Sequence, residues 1–156
     1  MEFDKLLVGK SARDYLEQYV DLFDFAATLT FRTRVGDRIT AQSVGRRFTN
    51  RYNSAVGFNN FRKRKDPRKR AVMIAMLEGD GKSEHLHYHF ALKKPDDMSN
   101  AEFTFLVQNC WVKTNTRGSR HNTITPIDDE NWVNYITKQI GRFSVDKIDW
   151  ESTHIY

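Results

Sequence analysis

Cysteine, long apolar runs and, across much of the first half, acidic residues are all scarce in this chain. There is one cysteine, Cys110. A lone cysteine cannot close an internal disulfide, so a secreted scaffold stapled by bridges is excluded and an intracellular setting is expected. No apolar run approaches the ~20 residues that span a bilayer, so no membrane partner is expected. The opening residues, MEFDKLLVGK, lack the basic-then-apolar order of a secretion signal. From Arg32 to Arg70, thirteen lysines and arginines stand against two acids, Asp37 and Asp66. Such a stretch creates a local positive field suited to phosphate backbones. There is no internal repeat and no low-complexity linker.

What is present suffices for one folded domain. The chain has 156 residues, 39% of them hydrophobic, which is enough for a core and too apolar for a disordered polyelectrolyte. Residues 11–23 carry apolar side chains at helical spacing, with Ser11 as the expected N-cap. Residues 25–33 read as a strand. Residues 40–55 read as a basic amphipathic helix bearing Arg46, Arg47 and Arg51. A loop over 59–70 follows, broken by Pro67 and carrying Arg62, Lys63 and Arg64. Residues 71–78 and 85–92 form an expected hairpin around the turn GDGKS. Ser99 is placed to cap a helix in which Cys110 is a core residue. Residues 121–127 read as a strand, and a last helix, capped by Asp128 or Asp129, runs to Gly141. Without its outer helices the order is β-α-β-β-α-β. That predicts an α+β fold of ferredoxin-like type, an antiparallel sheet with flanking helices.

Histidines 85, 87 and 89 alternate along one expected strand, so they share a face while Leu86, Tyr88 and Phe90 take the other. Neighbours in that row are about 7 Å apart and can converge on one metal ion. His85 and His89 are about 13 Å apart, too far to bind the same ion without a bulge. Two pairs therefore stand open, His85 with His87 and His87 with His89. Glu78, ending the partner strand, is the candidate carboxylate ligand. Imidazoles suit several transition metals, and a carboxylate third ligand tilts the site towards Mg or Mn. On the last helix Tyr135, Lys138 and Gln139 share a face. A phenol can attack phosphorus, and a nearby cation can stabilise the charge that develops.

The combination resembles the HUH endonuclease superfamily of rolling-circle replication initiators, relaxases and transposases. Ala27-Thr28-Leu29-Thr30-Phe31 is similar to the family's first strand motif. His87-Tyr88-His89, or else His85-Leu86-His87, is similar to its metal-binding motif. Tyr135-Ile136-Thr137-Lys138 is similar to its single-tyrosine motif. The first histidine frame is preferred because it gives Glu78 the more typical spacing. The resemblance spans roughly residues 25–141 and treats residues 1–156 as one nuclease domain.

That resemblance implies a divalent metal, Mn or Mg, on His87 and His89 and a covalent 5′-phosphotyrosine on Tyr135, with Lys138 steadying the phosphate. It also implies a single-stranded DNA substrate such as an origin or hairpin. The process would be rolling-circle replication of a plasmid, phage or virus, with a host helicase or polymerase as a partner. The compartment would be the cytoplasm for a prokaryotic or phage protein and the nucleus for a eukaryotic virus. Arg46, Arg47, Arg51, Arg62, Lys63 and Arg64 would hold DNA, with Tyr52 or Phe58 stacking on bases. Two departures bear on the process. Viral initiators often carry a helicase domain after the nuclease, and these residues include none. Tyr135-x-x-x-Gln139 also resembles insertion-sequence transposases. The alternatives are therefore a transposase or relaxase of the same superfamily, or a non-catalytic ferredoxin-like module that binds single-stranded nucleic acid.

Overall fold

The computed structural model describes residues 10–12, 14–59, 63, 66–80, 82–114, 119, 121–127 and 147–155. Four strands, β1 (Phe25–Thr30), β2 (Met73–Glu78), β3 (His87–Leu92) and β4 (Thr123–Pro126), form one sheet in the order β2-β3-β1-β4. Every pairing is antiparallel. With helices α1 (Arg38–Ala55) and α2 (Asn100–Val112) between the strands, the architecture is α+β and compatible with a ferredoxin-like arrangement.

Both helices start where the local chemistry dictates. The Asp37 carboxylate accepts the Thr40 backbone N–H at 2.7 Å, so α1 begins at Arg38. Ser99 and Glu102 close a reciprocal capping box at the head of α2. The expected N-cap at Ser11 is corrected: Lys10 is already helical, so Ser11 lies inside a helix and does not cap it.

Strand alternation divides the core in two. Leu77, Tyr88, Phe90 and Leu29 turn towards α1 and α2, where they meet Phe48, Tyr52, Val107 and Trp111. Gly45 is what lets α1 approach so closely, since a Cβ there would collide with the Tyr88 ring. The Tyr88 hydroxyl, buried beneath this helix, donates to Asp149 at 2.7 Å. On the opposite face Ile74, Met76 and Ala91 pack against Leu16, Phe23 and Ile148.

β2 lies at the edge of the sheet, yet all six of its residues are buried. Residues 147–155 supply the cover. His154 and Met73 exchange backbone hydrogen bonds at 2.8 and 2.9 Å, and Asp149 N–H donates to the Ala75 carbonyl. An unpaired edge is a template for aggregation, and this segment closes it. Among the described residues no helix is long and apolar enough to cross a membrane.

Both hairpin strands are shorter than the sequence suggests. Ala71 N–H is taken by the Asn53 side chain at 2.7 Å, and β2 begins two residues later. At its other end Gly79 adopts φ +95° and turns the chain away. β2 therefore has no residue left to face His85, and β3 begins at His87. The shared strand face expected for all three histidines is corrected to a pair.

Candidate functional site

The pairing register assembles the site. Glu78 on β2 lies directly opposite His87 on β3, and Met76 lies opposite His89. Across the other edge of β3, Thr28 of β1 faces His89 and Thr30 faces His87. Residues opposite one another point to the same side of a sheet, so Glu78, His87, His89 and Thr28 gather on one face. That face is apolar at the Ala91 end and polar at the Glu78 end.

The Glu78 carboxylate sits 3.5 Å from His87 Nε2 and 3.2 Å from His89 Nε2, both measured to the same oxygen, Oε2. Two donors about 2.1 Å from a common ion stand about 3.0 Å apart at a right angle and about 3.4 Å apart at the tetrahedral angle. The observed spacings match that range. The second carboxylate oxygen, Oε1, is buried and has no hydrogen-bond partner among the described residues. A buried acceptor without a partner beside two imidazoles is compatible with a cation there. The three side chains together could hold a metal ion.

Both rings are oriented from behind. His87 Nδ1 donates to the His85 carbonyl at 2.9 Å. His89 Nδ1 lies 3.0 Å from Thr28 Oγ1, within hydrogen-bond distance. Each imidazole thus spends Nδ1 on a fixed partner and turns Nε2 to the shared carboxylate, which is the way such sites orient their ligands. The rings stand nearly perpendicular, at 81°, with centroids 4.9 Å apart.

The charges are coupled. Hydrogen bonds from His87 and then His89 hold the Glu78 carboxyl well below the usual carboxylate range, against the opposing effect of burial, and Lys147 adds a smaller favourable field. The Glu78 hydrogen bond raises the His87 imidazole above its ordinary value, again against burial. Without a metal, His87 can act as an imidazolium donating from both nitrogens. A cation at Nε2 would replace that proton.

The structure brings together the pair His87 and His89 with Glu78. His85 is exposed, lies ahead of β3, and contributes its backbone carbonyl in place of an imidazole. Tyr135, Lys138, Arg62 and Arg64 lie outside the described residues. Arg46, Arg47 and Arg51 are on α1, which covers the face of the sheet opposite the histidines. Arg46 pairs with Glu151, whereas Arg47, Arg51 and Lys63 are exposed. Tyr52 as a base-stacking residue is corrected. It is fully buried, with its hydroxyl donating to the Lys93 carbonyl at 3.1 Å. Cys110 is a core residue, its thiol pushed up to about 11 by burial.

Sequence reasoning missed Thr28 as a partner of His89, and missed Lys147 and Asp149 altogether. Alternation with Leu29 places Thr28 on a strand face, but its pairing with His89 depends on a register between distant strands; Lys147 and Asp149 carry no periodic signal. No protein-family model, curated protein or solved structure matches this chain.

Proposed function

We propose that this chain is a metal-dependent endonuclease of the HUH type that nicks single-stranded DNA through Tyr135 and initiates rolling-circle replication. The observation that carries the reading is the carboxylate of Glu78 within 3.5 Å of two imidazole Nε2 atoms, each held from behind. Beside it stand the sequence motifs that resemble the superfamily, among them the tyrosine motif at Tyr135 and Lys138.

In this reading Glu78, His87 and His89 hold Mn or Mg, and Thr28 and the His85 carbonyl fix the two rings. The ion, when bound, supplies Lewis-acid polarisation and orientation of the scissile phosphate. The Tyr135 phenol gives up its proton and its oxygen attacks phosphorus. A Tyr135 O–P bond forms and the P–O3′ bond breaks. The departing 3′ oxygen takes a proton, leaving a 3′-OH and a 5′-phosphotyrosine. Lys138 balances the charge on the phosphoryl oxygens. Attack by a 3′-OH reverses the sequence and rejoins the strand.

Gln139, four residues after Tyr135, supports a second reading, a transposase with the same chemistry. A transposase would need a dimer to pair its active sites, so nicking that rises steeply with protein concentration would favour that reading.

The test is covalent capture. With Mn and a single-stranded library, the protein should form an adduct stable to denaturation, and sequencing of the trapped DNA should return a common site. Tyr135→Phe should bind DNA and form no adduct, and chelator should abolish capture. Undiminished adduct in Tyr135→Phe would remove the nucleophile, and capture in excess chelator would remove the metal.

A further inference from the structure

A cavity lies at the opposite end of the hairpin strands. Leu92, at that end, is five residues from His87, or roughly 17 Å along the strand. There a cavity of about 180 Å³ opens between the end of α1 and the segments that enter β2 and leave β3. It is smaller than the ~300 Å³ of the smallest drug-sized pockets. At ~30 Å³ per water it holds the volume of about six waters, room for one nucleobase inside with its sugar and phosphate outside at the rim.

Its lining combines two chemistries. Arg68, Arg70, Lys93 and Lys94 are set against a single acid, Asp96. Phe58, which also packs on the main core, lines the cavity together with Val56 and Pro95. A cationic rim recruits a phosphate. An aromatic wall takes a flat ring by stacking. The ligand that satisfies both is a nucleotide.

The walls are fixed before any ligand arrives. Asp66 holds the Arg68 guanidinium through Nε at 3.1 Å and Nη2 at 3.2 Å. Arg70 Nη2 donates to the Glu151 carbonyl at 3.4 Å. Lys94 Nζ donates to the Pro95 carbonyl at 3.2 Å, and the Lys93 backbone is tied to Tyr52 and Val72. These contacts restrain Arg68, Arg70 and Lys94, while the exposed Lys93 side chain is left to be ordered on binding.

We infer that this cavity binds one nucleotide of a single-stranded nucleic acid, its base on Phe58 and its phosphate among Arg68, Arg70 and Lys93, remote from the histidine pair. The inference rests on the nucleic-acid reading above for its source, a strand rather than a free nucleotide. It makes the protein grip its substrate at two places, one for cutting and one for holding.

The experiment uses the full chain without metal, so that nothing is cut. A single-stranded oligonucleotide carrying 5-iodo-deoxyuridine is photocrosslinked, and the adduct is mapped by mass spectrometry. The expected adduct is on Phe58. Phe58→Ala should weaken oligonucleotide binding about five- to hundredfold, as loss of one stacked base does. Because Phe58 also touches the core, exposed Lys93→Glu is the second variant, and it should weaken binding with folding unchanged.

A deoxynucleoside 5′-monophosphate and inorganic phosphate are titrated in parallel by NMR. Mononucleotide shifts at Phe58 without oligonucleotide binding would uphold the ligand chemistry while removing the strand, and with it the nuclease reading. Oligonucleotide binding that both variants leave unchanged, with no adduct at Phe58, would overturn the site and leave the nuclease reading standing. Binding of neither probe at the cavity would also overturn it.

Discussion

Along β3, neighbouring residues live in different worlds. Tyr88 and Phe90 turn into a dry layer under two helices, while His87 and His89 turn out to meet a carboxylate and a threonine hydroxyl. The first face is held by area: its side chains are almost fully removed from water, and their contribution scales with that burial. The second is held by direction: three donor atoms and two hydrogen bonds fix ring angles and add little to the core. Damage to the two faces should therefore read out differently, as lost folding on one and lost binding on the other.

The largest expected effect comes from the dry face. Phe90→Ala removes a fully buried ring that packs on Phe48. It should cost about 3–5 kcal/mol of unfolding free energy in a urea titration. A cost under about 1 kcal/mol would mean that the helical layer collapses around the gap and is not the rigid support described above.

On the wet face, Thr28→Val keeps the shape of the side chain and removes the hydroxyl beside His89 Nδ1. Mn affinity, followed by calorimetry, should fall about 10–100-fold, as when an outer hydrogen bond to a ligand is lost. The urea midpoint should hardly move. An unchanged Mn affinity would show that the His89 ring is oriented by packing alone.

A smaller effect sharpens the contrast through pH. In metal-free protein the lowered Glu78 value contributes stability that is present above its unfolded value of ~4.3 and is lost as pH falls through the folded one. The raised His87 value contributes stability that is present below its unfolded value of ~6.5 and is lost as pH rises through the folded one. Both contributions are present between about pH 4.3 and 6.5, so the apo protein should be most stable there. Glu78→Gln should flatten both limbs in urea titrations run with chelator. An identical pH profile in that variant would mean that the trio is not coupled. Saturating metal should move the optimum upward, because metal binding requires neutral imidazoles.

The two faces also differ in how much the sequence reveals. The alternation in His87-Tyr88-His89-Phe90 is enough to place the imidazoles on one side of a strand and the aromatics on the other. Glu78 is legible as the end of the partner strand. Thr28 as the support of His89 depends on a register between distant strands, which no local period encodes. The strand is shorter than its alternation for a physical reason: Leu86 and His85 continue the pattern, but Gly79 at φ +95° removes the residues they would pair with. Residues 147–155 cover the β2 edge through backbone hydrogen bonds, to which side-chain patterns are blind. For Tyr52, helical spacing fits both a core and an exposed stacking face, and burial decides for the core.

The smallest expected effect isolates that last turn of chain. If His85 were a ligand, His85→Ala would cost metal affinity on the scale of losing His89. Among the described residues only its backbone carbonyl is engaged, accepting from His87 Nδ1, and alanine keeps that carbonyl. His85→Ala should leave Mn affinity within about twofold of the parent protein, less than ~0.5 kcal/mol. The carbonyl itself is positioned by the turn, since Gly79 leaves no room for a Cβ against the His85 backbone. Gly79→Ala should therefore lower Mn affinity more than His85→Ala does, although neither substitution touches a ligand atom. The reverse order would return the His85 imidazole to the site and restore the frame that pairs it with His87.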